Sequence, residues 1–299
     1  QWLGEQLAEV DSPEVGLDGM VNSYHETQAL VAELRQKGGI TVRTNFDPLD
    51  IIWKDRPSIP DFPVDIQPLE YAGETLQSKL SRIRKALLVL HADGMLVSAL
   101  DDIAWTLNLR GTDVHCNPVF VSYLLIESDK VSLFVDDNKL SPEVKPYLQD
   151  NQVSLYKYNK VEKCLESYSE YNILLDGNET SYYLWKAVKC QEIVAAGSPI
   201  PAMKAVKNKA EIEGYHSAML KDGVAMVKFL KWLKPAVEAG GQTEISIDEK
   251  LTLLRAEQKL FRDISFDTIA GYAQHGAIVH YEATPETDVV LKQIGRAHV

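Results

Sequence analysis

Cysteine is scarce in this 299-residue chain, with only three residues at widely separated positions. Cys116, Cys164 and Cys190 are odd in number and include no Cys-x-x-Cys pair. This spacing indicates neither a disulfide framework nor a cysteine zinc site. It favours a reducing compartment, and we expect a cytoplasmic protein.

Long apolar runs and basic clusters are also missing. No run approaches the roughly 18 apolar residues that a membrane-spanning helix needs, so we expect no membrane association. The net charge is −12, and no run rich in Lys and Arg offers the basic face typical of nucleic-acid binding. No signal peptide is recognisable, but the chain begins with Gln1 rather than Met, which leaves the true start open.

Several familiar catalytic motifs are absent, among them GxSxG, the phosphate-binding GxxxxGK[ST], GxGxxG and HExxH. The only close pair among the seven histidines is His275 and His280. An offset of five on a strand places two side chains on opposite faces, which disfavours a shared metal. Spacing alone favours a hydrogen-bonded structural role for His280.

The sequence does contain the pattern of an α/β (α+β) protein, with enough chain for about two domains. A helix from about Glu26 ends at Gly38 and Gly39, and the prolines 57, 60, 63 and 68 form a semi-rigid connector. A helix is predicted over 76–92. Asn208 and Glu211 form a capping box that opens a long helix to about Leu233, before Pro235, and a second helix runs from Thr243 to about Leu260. Predicted strands are 40–42, 95–100, 120–126, 131–135, 153–156, 173–175, 193–196, 264–269 and 277–281.

Four ordered blocks carry a resemblance to a known family. They are DDIAWTLNLRGTD (101–113) with NPVF (117–120), IWKDRP (52–57), AVKNKAE (205–211), and GAIVHY (276–281) followed by PET (285–287). Together these blocks resemble the three-domain Xaa-Pro aminopeptidases of cytosolic type, the aminopeptidase P branch of peptidase family M24.

The resemblance implies a fold and a set of boundaries. It implies the C-terminal part of a creatinase-like N-terminal domain with its linker (1–70), a complete mixed α/β second creatinase-like domain (71–203) and the start of a truncated pita-bread catalytic domain (204–293). Residues 294–299 read IGRAHV, and codons for them can spell a widely used sequencing-library adaptor. We expect these six residues to be a non-native tail.

The resemblance also implies a chemistry. Such enzymes remove the N-terminal residue from peptides with proline in second position, using a water activated by two divalent metal ions, usually manganese, held by two Asp, one His and two Glu. The matching motif makes His280 the expected catalytic and substrate-binding residue, which contacts substrate or the tetrahedral intermediate. The metal ligands are expected beyond Val299, so residues 1–299 alone should not hold this pair of metal ions and should be inactive. His275, where many relatives carry Asn, is read as tolerated variation.

Arg110 and Asp113 have no assigned catalytic role and are read as a structural ion pair. Two other functions stay open: a creatinase-like hydrolase that needs no metal, and a non-catalytic pita-bread module that binds peptides or proteins. The expected partners are Xaa-Pro peptides and a second copy of the chain in a homodimer, without nucleic acid or membrane.

Overall fold

The computed structural model describes residues 2–168 and 172–292, so the predicted non-native tail at 294–299 lies outside the described residues. The chain forms two compact units. The first comprises residues 1–114 and 118–207, and the second comprises 115–117 and 208–299. Within the described residues, no helix combines the length and the apolar character that crossing a bilayer requires.

The first unit opens with a small α/β segment. Its elements are α1 (Trp2–Gln6), β1 (Glu14–Gly16), α2 (Tyr24–Gly38), β2 (Thr41–Arg43) and α3 (Pro48–Ile52), and β1 pairs with β2 in parallel. The Ser23 side chain caps the N-terminus of α2 by accepting from the Glu26 N–H. Gly39 ends the helix with a left-handed φ of 62° and donates its N–H to the Arg35 carbonyl. The predicted helix that ends in glycine is therefore confirmed.

The predicted proline-rich connector is confirmed as well, because residues 56–63 form neither helix nor strand. Proline supplies no N–H to a ladder and holds its φ near −65°, which keeps such a segment extended and outside both regular structures. Val64 then enters the core of the unit, where it is fully buried.

A six-stranded mixed sheet, in the order β10-β9-β4-β6-β7-β8, forms the centre of the first unit. Neighbours pair in parallel except at β4–β6 and β6–β7, which are antiparallel. A separate antiparallel pair joins β3 and β5. The elements are β3 (Asp65–Ile66), α4 (Leu69–Ala72), α5 (Leu76–Val89), β4 (Gly94–Val97), α6 (Leu100–Leu107), β5 (Leu109–Arg110), β6 (Ser122–Glu127), β7 (Val131–Val135), α7 (Val144–Asp150), β8 (Val153–Lys157), α8 (Val161–Glu166), β9 (Ile173–Leu175), α9 (Tyr182–Ala187), β10 (Ile193–Ala195) and α10 (Ile200–Ala205).

Both faces of this sheet are covered. Along β4, Met95 and Val97 belong to one hydrophobic cluster while Leu96 belongs to another, as expected for side chains that alternate between faces. α5 contributes Leu80 and Ile83 to the first cluster, and both are nearly inaccessible to solvent. Burial of each such side chain stabilises the fold by about 1.5–3 kcal/mol. The mixed α/β layer predicted from the strand and helix pattern is therefore confirmed.

The second unit contains two helices, α11 (Lys209–Ala239) and α12 (Glu244–Ala256), which pack through a small apolar cluster that includes Phe229 and Leu251. The predicted capping box is present: the Glu211 N–H donates to Asn208 Oδ1 (3.1 Å) and the Asn208 N–H donates to Glu211 Oε2 (2.8 Å).

Both helix ends predicted in this unit were wrong. α11 continues through Pro235 to Ala239, because a proline removes one backbone donor without forbidding a final turn. Gly240, with a φ of 87°, provides the break. α12 ends at Ala256, before the predicted end at Leu260.

The strands predicted at 264–269 and 277–281 are not formed. Residues 261–270 are irregular, and Ala273–Ala277 is a short 3-10 helix. A strand requires a neighbour that satisfies its backbone N–H and C=O groups. The described part of this unit offers only a single bridge, between Thr243 and Val290, so apolar alternation alone could not produce a ladder.

Candidate functional site

His280 lies in a turn that follows the 3-10 helix. Its side chain is exposed, and its backbone adopts a left-handed φ of 55°. This conformation is uncommon outside glycine, and it persists only where neighbouring residues are well anchored. The exposed imidazole is therefore available to a ligand, and the residue that follows it is anchored.

The anchor on the C-terminal side is Tyr281, which is buried. Its phenolic O–H contacts Glu244 Oε2 at 2.7 Å and Thr287 Oγ1 at 3.3 Å. Loss of hydration is the main cause that raises the pKa of the Tyr281 phenol, and the Glu244 carboxylate adds to it. The phenol thus stays protonated and acts as a hydrogen-bond donor.

Glu244, the first residue of α12, is the centre of this arrangement. Its side chain is fully buried, and it accepts the Tyr272 N–H at 2.6 Å on Oε1. Both carboxylate oxygens lie 3.0 Å from His275 Nδ1. A buried carboxylate is tolerated only when such donors satisfy it. We call Glu244, Tyr272, His275 and Tyr281 the Glu244 anchor.

His275 belongs to this anchor and has a structural role that sequence reasoning missed. Its ring stacks on Tyr281 with 4.5 Å between centroids. The two histidines of the motif therefore have different environments: His275 is held between Glu244 and Tyr281, whereas His280 is exposed. The sequence signalled Glu244 only as the start of a helix, because its partners lie about 30 residues further along the chain.

Glu244→Ala should lower the free energy of unfolding of the second unit by about 2–3 kcal/mol, since it removes the buried carboxylate that accepts from the Tyr272 N–H and the Tyr281 phenol. The measurement is chemical denaturation followed by amide hydrogen exchange at Tyr272. Glu249→Ala is the matched control, because Glu249 lies on the same helix but is exposed. Equal stability of the two variants would contradict the anchor.

The first-unit block at 101–113 makes structural contacts. The Asp113 carboxylate pairs with Lys139, and both side chains are almost completely buried. Asp101 and Asp102 pair with Lys204 of α10. Burial, opposed by the Lys204 partner, raises the pKa of Asp102. The sequence predicted a structural ion pair of Asp113 with Arg110; the ion pair that the structure shows for Asp113 is with Lys139, a partner that the sequence did not indicate.

The described residues do not fit a two-metal centre made of two Asp, one His and two Glu. The only group of three ligand-type side chains that converge within the described residues is His115, Cys116 and Asp267. That group includes a thiol and a single carboxylate, and His280 is not part of it. The described residues therefore supply no ligand set for a pair of metal ions.

Comparison with known proteins defines the class. Residues 55–211 match the creatinase/prolidase N-terminal domain family, and residues 213–295 match metallopeptidase family M24. The first match alone covers more than half of the chain, and the chain belongs to the creatinase/prolidase N-terminal domain family.

Individual relatives give a more specific likeness. The chain is 34% identical to "Probable Xaa-Pro aminopeptidase P" of Botryotinia fuckeliana, over 95% of this chain and 45% of that protein. It is 35% identical to the protein of the same name in Aspergillus niger, over 94% of this chain and 48% of that protein. The chain thus spans about half the length of the curated relatives it matches.

Among solved structures, an X-prolyl aminopeptidase from Caenorhabditis elegans, described as a cytosolic enzyme with a di-nuclear active site, superposes with a TM-score of 0.87. The sequences are 25% identical over 97% of this chain and 48% of the other. The predicted resemblance to Xaa-Pro aminopeptidases, and with it the fold class, is therefore confirmed.

Proposed function

We propose that this chain is part of a metalloaminopeptidase that removes the N-terminal residue from peptides with proline in second position. The observation that carries the proposal is the likeness over nearly the whole chain to Xaa-Pro aminopeptidases in both sequence and fold. The match to family M24 covers the segment that contains His280. These relatives favour an aminopeptidase over a creatinase-like hydrolase or a non-catalytic binding module.

In this proposal His280 contacts the substrate or the tetrahedral intermediate. Its exposed imidazole can donate a hydrogen bond to a developing oxyanion, and the Glu244 anchor holds the adjoining backbone. The proposed cofactor is a pair of divalent metal ions, manganese in this proposal, bound by two Asp, one His and two Glu outside the described residues. A cytosolic location, peptide substrates and a homodimer complete the proposal.

The test compares residues 1–299 with a protein of the relatives' full length that contains them. Only the longer protein should release the first residue from Xaa-Pro peptides, and its activity should be lost on chelation and restored by manganese. Residues 1–299 should bind no stoichiometric manganese, because a thiol-containing ligand set suits this hard ion poorly. Equilibrium dialysis with metal analysis measures the second point.

Two results would contradict these expectations. If the longer protein cleaved no Xaa-Pro peptide with any divalent metal ion added, the aminopeptidase assignment would be wrong. Tight binding of two manganese ions by residues 1–299 would instead show that the described residues contain a cage, and would overturn the expected location of the ligands. Peptides with alanine in second position are the matched substrate control.

A further inference from the structure

Three side chains of different chemistry converge in the second unit. The ligand-type atoms of His115, Cys116 and Asp267 all lie within 4.8 Å of one another. His115 Nε2 and Asp267 Oδ1 are 2.8 Å apart. His115 and Cys116 are neighbours in the sequence, whereas Asp267 lies about 150 residues further along the chain. Only the folded chain brings the three together.

The local backbone presents the first two residues side by side. Cys116 has a left-handed φ of 60°, and Asn117 donates its side-chain N–H to the His115 carbonyl at 3.1 Å. The imidazole and the carboxylate are exposed, and the thiol is partly exposed. An ion from solvent can therefore reach all three groups.

The surrounding charge favours a cation. The hydrogen bond and charge of Asp267 raise the pKa of His115, and Asp263 and Glu282 add to this. Desolvation is the main cause that raises the pKa of the Cys116 thiol, and the charges of Asp267 and Asp263 raise it further. Among the described residues, the charged groups that act on these two side chains are acidic, and such surroundings favour a bound cation.

We propose that His115, Cys116 and Asp267 bind one zinc ion, with water in the remaining position. Zinc accepts imidazole nitrogen, thiolate sulfur and carboxylate oxygen in one tetrahedral set. A bound dication compensates the local negative charge of Asp263, Asp267 and Glu282. The site is independent of the proposed peptidase activity, because it includes neither His280 nor the Glu244 anchor.

The test uses cobalt(II) as a spectroscopic probe on untagged, metal-stripped residues 1–299, at mildly alkaline pH because protons compete for imidazole and thiolate. One equivalent of cobalt should produce a thiolate-to-metal charge-transfer absorption in the near ultraviolet. Zinc should abolish this absorption by displacement. Absence of the absorption with saturating cobalt would overturn the proposal.

Variants locate the site. Cys116→Ser should eliminate the charge-transfer band, whereas Cys164→Ser and Cys190→Ser, which replace the other two free cysteines, should retain it. His115→Asn and Asp267→Asn should each weaken cobalt binding by at least about tenfold. Circular dichroism confirms that each variant is folded. A band that persists in Cys116→Ser, or unchanged affinity in Asp267→Asn, would contradict the three-residue site.

Discussion

Lys139→Met should destabilise the first unit by about 3–5 kcal/mol, because it leaves the Asp113 carboxylate buried without its counter-charge. The Lys139 side chain is 1% exposed and that of Asp113 is 0% exposed. Denaturant unfolding followed by the fluorescence of the buried Trp105 and Trp185 measures the loss, since both lie in this unit. The effect should exceed that of any surface substitution.

The environment of Asp113 makes the expected loss large. Its Oδ2 accepts the Val121 N–H at 2.6 Å as well as the lysine, while Oδ1 is buried without a hydrogen-bond partner among the described residues. Solvent therefore cannot compensate a missing ammonium group. In the variant, the Asp113 carboxylate would lie in a region of low polarity without its counter-charge, which disfavours the folded state.

Two further variants distinguish loss of the Asp113–Lys139 ion pair from loss of a lysine side chain in general. Lys157→Met replaces an exposed lysine and should change stability by less than about 0.5 kcal/mol. The double variant Asp113→Asn/Lys139→Met should recover much of the loss, because a neutral amide can still accept the Val121 N–H. A double variant that is less stable than Lys139→Met would contradict the ion-pair account.

The sheet of the first unit was largely predictable from sequence because its signals are local. The predicted strands at 131–135 and 173–175 match β7 and β9 in full, and both are short apolar runs between turn signals. The prediction fails where one apolar run includes the end of a strand and the start of the next helix. The predicted strand at 95–100 is observed only to Val97, and Leu100 already begins α6.

The candidate site was less predictable because its structure depends on partners that are distant in sequence. The alternation at 277–281 predicts a strand, yet no described segment supplies the ladder, and a turn forms instead. The role of His275 depends on Glu244, 31 residues earlier. The same limit applies to Asp113 with Lys139 and to Cys116 with Asp267, since sequence spacing carries no information about either pair.

His280 itself was identified from a motif, and its contribution to activity can be measured directly. His280→Ala, made in a protein of the relatives' full length, should lower kcat/KM for Xaa-Pro peptides by about 10²–10³-fold, the loss expected when one donor to a developing oxyanion is removed. This prediction depends on the proposed function. Steady-state kinetics with two peptides that differ only in the second residue provide the measurement.

The fall in kcat/KM should come from the lost interaction with the transition state rather than from a loss of folded protein. His280 is exposed, so its removal creates no cavity and leaves the hydrogen bond between Tyr281 and Glu244 in place. The melting temperature should therefore be unchanged while the rate falls, whereas Glu244→Ala should lower the stability of the second unit. His216→Ala is the matched control, because it removes another exposed imidazole from the same unit. If His280→Ala retained the parent rate, His280 would be a structural turn residue, as its spacing alone suggests.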